Sequence, residues 1–174
     1  MTLSLHAATI PGFLRMLANM DHLIGKAEAW CAEQGRSEED VCSARITPDM
    51  LDFAYQVKST VSHSVGAVAG IRAGVFSPDR SEPPRGFAAM RAMLADAREE
   101  LGELTEADME TVGTAEMEFR MGEQFVVPFT GQNFLLNFSI PNFYFHATTA
   151  YDILRQLGVP IGKRDYLGPD WTKQ

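Results

Sequence analysis

Cysteine is scarce in this chain: Cys31 and Cys42 are the only two in 174 residues. Their spacing is neither that of metal ligands nor that of a redox pair, which excludes a disulfide scaffold and a thiolate zinc site. Two reduced thiols fit a cytoplasmic protein. Long apolar runs are missing as well. None approaches the roughly 18 residues that span a bilayer, so no membrane partner is expected. The opening Met-Thr-Leu-Ser-Leu-His has no basic stretch ahead of an uninterrupted apolar one, so no signal peptide is read. Positive charge is short: Lys and Arg total 15 against 23 Asp and Glu, a net charge of −8. The one basic cluster, Lys163-Arg164, is too small to hold a phosphate backbone, which excludes nucleic acid as a partner. The common catalytic patterns are also absent: no Gly-x-Ser-x-Gly elbow, phosphate loop, His-Glu-x-x-His or Cys–His arrangement. No carboxylate pair in an apolar setting marks a general acid.

What is there reads as a single domain over residues 1–174, with 45% apolar and 22% charged residues, typical of a globular protein with a substantial core. Helical periodicity dominates. In residues 3–34, Ile10, Phe13, Leu17, Met20, Ile24, Ala27 and Cys31 form one apolar stripe, closed by Gly35. His22 falls across from the stripe as a surface histidine, and His6 joins it only if the helix extends back past Pro11. Ser37-Glu38-Glu39-Asp40 is a capped start of a short helix or turn. Thr47-Pro48-Asp49 predicts the start of a second long helix, running to residue 73 before Gly74. Its seam is Met50, Phe53, Ala54, Val57, Val61, Val65, Val68 and Ile71. Asp49, Gln56 and His63 lie along one flank at seven-residue steps with Thr60 between, and Tyr55, Lys58, Ser62 and Gly66 form the wet face. After a proline-rich connection at 77–85, a third helix covers 86–101 on Phe87, Met90, Met93, Leu94, Ala97 and Leu101.

A short helical turn at Thr105-Glu106-Ala107-Asp108 precedes a change of period from 3.6 to 2. Met117, Phe119 and Met121 alternate with Glu116, Glu118 and Arg120, and Phe125-Val126-Val127 follows Gly122. This predicts a hairpin ended by Pro128 and lying on the helices, because an isolated hairpin is marginal in water. The last helix covers 130–157 with a kink at Pro141, and Gly158 closes it. Counting 100° per residue from His146, the core side takes Leu135, Phe138, Phe143, Ala150, Ile153, Leu154 and Leu157. Asn142 shares that side, while Asn137, Tyr144, Thr148 and Arg155 fall opposite. Tyr144, Tyr151 and Arg155 are ordinary surface or a subunit contact. The tail from Gly162 to Pro169 is an ordered extension with Tyr166 and Leu167 tucked down.

The run Pro141-Asn142-Phe143-Tyr144-Phe145-His146, ending in Ile153-Leu154-Arg155-Gln156-Leu157-Gly158, resembles the last helix of DinB/YfiT-like bundles. There, two histidines four residues apart precede a Leu-Arg-x-x-Gly ending. With Gly162-Lys163-Arg164-Asp165-Tyr166-Leu167-Gly168, the chain resembles an uncharacterised bacterial branch of that superfamily. The resemblance implies an all-α DinB-like four-helix bundle with a small β-hairpin between helices three and four. It also implies that members bind a divalent metal through one histidine from helix two and two from the last helix, and that they often dimerise.

Matching the ending puts Asn142 and His146 on the last-helix pair and leaves His63 or the Gln56 position for helix two. Asn is a poor zinc or nickel ligand beside imidazole. Three readings stand: Asn142 and His146 as a satisfied core pair; a metal-free pocket for a small molecule formed with Gln56 and His63; or a divalent ion, zinc or nickel, at His63 and His146 with Asn142. No cofactor is expected on the first two. The functions that follow are an uncharacterised binding protein, a metal-dependent transferase or hydrolase, or a non-catalytic homodimer.

Overall fold

The computed structural model describes residues 3–169; Met1 and Thr2, which open the segment read for a leader, lie outside them. Four long helical segments make the bundle. The first, α1 (Leu5–Gln34), starts at Ser4, whose side chain accepts from the Ala7 N–H, and runs through Pro11 to Gly35 in the left-handed region. A short α2 (Glu38–Cys42) is fixed by a Ser37–Asp40 capping box. Its Glu38 carboxylate accepts from the Phe87 N–H and so caps α5 (Phe87–Gly102) across the fold.

The second long helix departs from expectation at both ends of its first half. Residues 46–51 are a loop, and α3 (Phe53–Ser62) begins at Asp52. Asp52 wins over Thr47 because its carboxylate does two jobs while nearly buried: it accepts from the Tyr55 N–H at 3.0 Å and pairs with Arg85 at 2.9 Å. Thr47 spends its hydroxyl on Asp49 instead, and Asp49 is exposed. The helix then breaks at His63-Ser64 before α4 (Val65–Arg72). The Ser64 hydroxyl donates to the carbonyls of Thr60 and Val61, the local competition with the helical ladder that serines introduce.

After α4 comes a strand the periodicity did not reveal, β1 (Val75–Phe76). Helix α6 (Glu106–Thr114), nine residues rather than one turn, leads into β2 (Glu116–Met121) and β3 (Phe125–Thr130). The strands form one sheet in the order β1-β2-β3, β1 parallel to β2 and β2 antiparallel to β3. Pro128 does not end β3. It pairs with Glu118 in register, while the Gly131 N–H bonds to Ala115 O at 2.8 Å, so the odd-numbered residues bond inward. Pro128 therefore sits where an N–H would face outward, the place a proline is tolerated on an edge strand.

The last helical segment is α7 (Gly131–Phe134), a π-helical turn (Leu135–Ser139) and α8 (Ile140–Leu157), closed by Gly158. Pro141 has no N–H to give to the carbonyl four residues back. The chain absorbs this as a wider turn, in which the Ile140 N–H reaches Leu135 O. Helix α9 (Lys163–Leu167) folds back on α1, where Asn19 Nδ2 donates to Tyr166 O and the half-exposed His22 bonds Asp165 at 3.0 Å. Tyr166 and Leu167 are half-buried.

Helix α1 packs on α5 and α8, and α3 packs on the same two. One buried cluster runs through all of them, with Phe13 edge-on to Phe143 at 4.7 Å. A second aromatic group, Phe76, Phe119, Phe129, Phe134 and Phe138, welds the sheet to the π turn, with centroid distances of 4.8–5.5 Å for the 119–138, 76–134, 134–138 and 129–134 pairs.

The join between sheet and last helix tolerates no side chain at Gly131, where a Cβ would lie 1.9 Å from Val112 O and 2.9 Å from Ile71. Gly131→Ala is expected to lower the urea midpoint by the equivalent of about 3 kcal/mol or to prevent folding. Gly25→Ala, where a Cβ meets nothing within 4 Å, is expected to gain about 0.5–1 kcal/mol from helix propensity. Equal midpoints for the two variants would show that this close approach does not exist.

Candidate functional site

Helices α3 and α8 face each other along most of their length, and the polar residues caught between them are Gln56, His63, Asn142 and His146. Gln56 is buried; the other three are half-buried. The Gln56 amide donates through Nε2 to Leu51 O at 2.9 Å, which turns its Oε1 towards His146 Nδ1 at 2.7 Å. An amide oxygen only accepts, so His146 carries its proton on Nδ1 and leaves Nε2 as a lone pair.

His63 sits where α3 ends. Ser139, on the π turn, donates its hydroxyl to His63 O at 2.9 Å, satisfying a carbonyl that the helix end leaves free. The Ser139 oxygen then lies 3.5 Å from His63 Nδ1. The proton of that hydroxyl being spent, the oxygen faces the ring as an acceptor, and His63 is assigned the same tautomer as His146. The two rings stack with centroids 5.7 Å apart and planes 13° from parallel. Asn142 Nδ2 donates to Phe138 O at 2.7 Å, which leaves Oδ1 and the second N–H of that amide.

Burial holds both imidazoles well below the ordinary 6.5, each to about 4; for His63 the neighbouring His146 adds to it. Both are neutral at pH 7. They line a cavity of about 230 Å³ together with Asn142, Ser59 and Ser62. Phe76, Phe119 and Phe138 form its apolar wall, and Pro78 and Asp79 its rim.

The rim is held by a residue that helical counting placed on the wet face. Lys58 is buried, and its ammonium binds Asp79 Oδ2 at 2.8 Å, Ser81 O at 2.7 Å and Ser81 Oγ at 2.8 Å. Tyr55 adds a bond to Asp79 O at 2.8 Å. The Lys58 contact and the Ser81 amide hold the Asp79 carboxyl at about 2. A single helix's wheel cannot show that the 77–85 loop folds over that face.

Of the flank at seven-residue steps, Gln56 and His63 reach the site and Asp49 does not, because the helix starts after it. Ser59 lies four residues before His63 and was findable from the wheel, whereas Ser62, like Tyr55, lines the cavity from the side read as the wet face. Phe119 was findable from the strand alternation. Tyr144 packs edge-on against Phe143, Tyr151 meets Tyr166 at 5.6 Å, and Arg155 donates to Ile161 O, so all three have partners within the chain.

The donor set is short for zinc or nickel. Among the described residues, no three of His, Cys, Asp and Glu are grouped to hold one ion. Around the two imidazoles, the Asn142 amide nitrogen and the Gln56 oxygen are both engaged in hydrogen bonds. A wider, open concavity of about 800 Å³ lies beside β2 and β3, lined by Glu116, Glu118, Pro128 and Asn133; neither histidine nor cysteine lines it.

The family described as a domain of unknown function, DUF1993, matches residues 5–167. No curated protein matches the chain. The crystal structure of a DinB family member protein from Shewanella denitrificans is similar over 98% of this chain and 95% of that one, with 29% sequence identity and a TM-score of 0.83. The bundle with its small associated sheet is thus DinB-like. No helix of the described residues is long and apolar enough to cross a membrane.

Two buried neutral imidazoles make stability depend on pH in a defined direction. Between pH 6.5 and about 4 the unfolded chain takes up protons that the folded one refuses. The contribution is complete above pH 6.5 and is lost as pH falls through this window, by on the order of 3 kcal/mol for each ring. The depressed carboxyl of Asp79 acts lower, near pH 2. Urea midpoints measured across this range are expected to fall steeply for the wild type and much less for a His63→Phe/His146→Phe double variant. Parallel curves would place the rings in water.

Proposed function

The chain belongs to the DUF1993 family, and on that footing we propose that it binds a small molecule in the polar pocket between α3 and α8. One observation carries this reading. One imidazole is fixed in its tautomer by the Gln56 oxygen, and the other has the Ser139 oxygen 3.5 Å from its Nδ1. No described residue bonds the Nε2 of either, and both line a cavity with three phenyl rings. Ligand sites commonly combine an apolar lining with a few fixed polar groups. At about 230 Å³, this cavity falls below the roughly 300–1,000 Å³ of pockets for drug-sized ligands. Its ligand is therefore compact.

Binding is favoured over proton-transfer catalysis by the partner behind His146. A carboxylate there would stabilise an imidazolium as it forms. The Gln56 amide fixes orientation and carries no charge, and a ring titrating near 4 is a weak base at neutral pH.

The test is a titration of the protein with small aromatic fragments, followed by the histidine Cε1–H resonances. His63 and His146 are expected to move together and saturably while His22, on the surface, stays still. His146→Leu is expected to remove the response. Fragments that leave both rings unmoved, or move His22 equally, would end the pocket reading. Zinc chloride titrated in parallel addresses the alternative of a divalent ion at His63 and His146: tight one-to-one uptake that displaces the fragments would favour it.

A further inference from the structure

Resting on that reading, we propose that the pocket selects a small organic cation, a primary ammonium carried on an apolar body. Three of the polar groups on the cavity offer acceptors, beside the Ser59 and Ser62 hydroxyls, which can donate or accept. The His146 ring gives its proton to Gln56 and the His63 ring turns its own towards Ser139, so each presents Nε2 as a lone pair. The Asn142 amide gives one of its two N–H donors to Phe138 O and keeps its oxygen as an acceptor. Three acceptors on one small cavity complement the one common side-group that brings three donors and no acceptor, an ammonium.

The charges point the same way. Among the described residues, no lysine or arginine lines the cavity, and its single charged side chain is Asp79 at the rim. Lys58, the nearest ammonium, stands outside the lining with its hydrogen bonds already taken by Asp79 and Ser81. The phenyl walls of Phe76, Phe119 and Phe138 suit both halves of the ligand, since an aromatic face attracts a cation and an apolar body alike. A carboxylate ligand would meet two imidazole lone pairs and no cationic lining residue, with only hydroxyl and amide N–H groups to donate to it. A neutral alcohol could donate once and would leave two acceptors unpaired. The net charge of −8 favours the approach of a cation from a distance.

Three near-isosteric probes separate this from the pocket reading itself: benzylammonium, benzyl alcohol and benzoate, titrated calorimetrically into the full chain at neutral pH. Benzylammonium is expected to bind at least about tenfold more tightly than benzyl alcohol, with benzoate weakest. Asn142→Leu and His146→Leu are each expected to bring benzylammonium down towards the alcohol. Equal or tighter binding of benzyl alcohol, or a preference for benzoate, would overturn the ammonium inference and leave the pocket standing. No binding of any probe, with the two imidazole resonances unmoved, would overturn both. Should the variants fail to fold, the ranking of the three probes on the wild type decides alone.

Discussion

The hydrogen bond from His146 to Gln56 is the contact on which the site depends. It joins the two helices that form the pocket, and it fixes which nitrogen of the ring is bare. Gln56 is turned this way because Leu51 O takes one of its amide hydrogens, and that carbonyl is in reach because the chain before α3 is a loop. Had the helix begun at Thr47, the Leu51 carbonyl would have been committed to the helical ladder. The cap at Asp52, its pairing with Arg85, the Gln56 orientation and the His146 tautomer are thus successive consequences of where one helix starts.

The π turn performs the matching task on the opposite side. Pro141 removes a donor, the backbone widens, and two side chains occupy what that opens. Ser139 closes the end of α3 by donating to His63 O, and Asn142 donates back to Phe138 O. Each of these bonds satisfies a backbone carbonyl, and the Ser139 oxygen lies beside His63 Nδ1 while Asn142 lines the cavity. Structural need and polar lining are therefore the same set of contacts. The core-pair reading and the pocket reading of Asn142 and His146 are compatible, since the bonds that settle the packing also determine what faces the cavity.

Much of this was legible in the sequence where local chemistry acts alone. The α1 stripe, the Ser37 capping box, the Thr130-Gly131 start and the Gly158 stop come from short-range rules, and the structure follows them. Gln56, His63, Asn142 and His146 could be placed between the same two helices from the sequence because each lies on or at the end of a strongly periodic helix. What the sequence hid depends on distant partners. Asp52 outcompetes Thr47 only because Arg85 arrives from more than thirty residues away. Lys58 is buried only because the 77–85 loop folds across it. A two-residue strand such as β1 has no period to detect, and it exists because β2 offers an edge to pair with.

The departure from three histidines has a physical meaning beyond the loss of a ligand. An ion holds its imidazoles by coordination, which consumes the lone pairs and adds positive charge to the cavity. Here a glutamine and a serine face the two rings from behind, at Nδ1, and no described residue takes Nε2. The site keeps its orientation without a central charge, and its free lone pairs are what the proposed ammonium would meet. Desolvation would normally penalise such a cluster, but the cost falls on the protonated rings and not on the neutral ones, so burial enforces the state in which the acceptors are available. With Asn142 among the imidazoles, the polar lining of the cavity is set by hydrogen bonds within the chain.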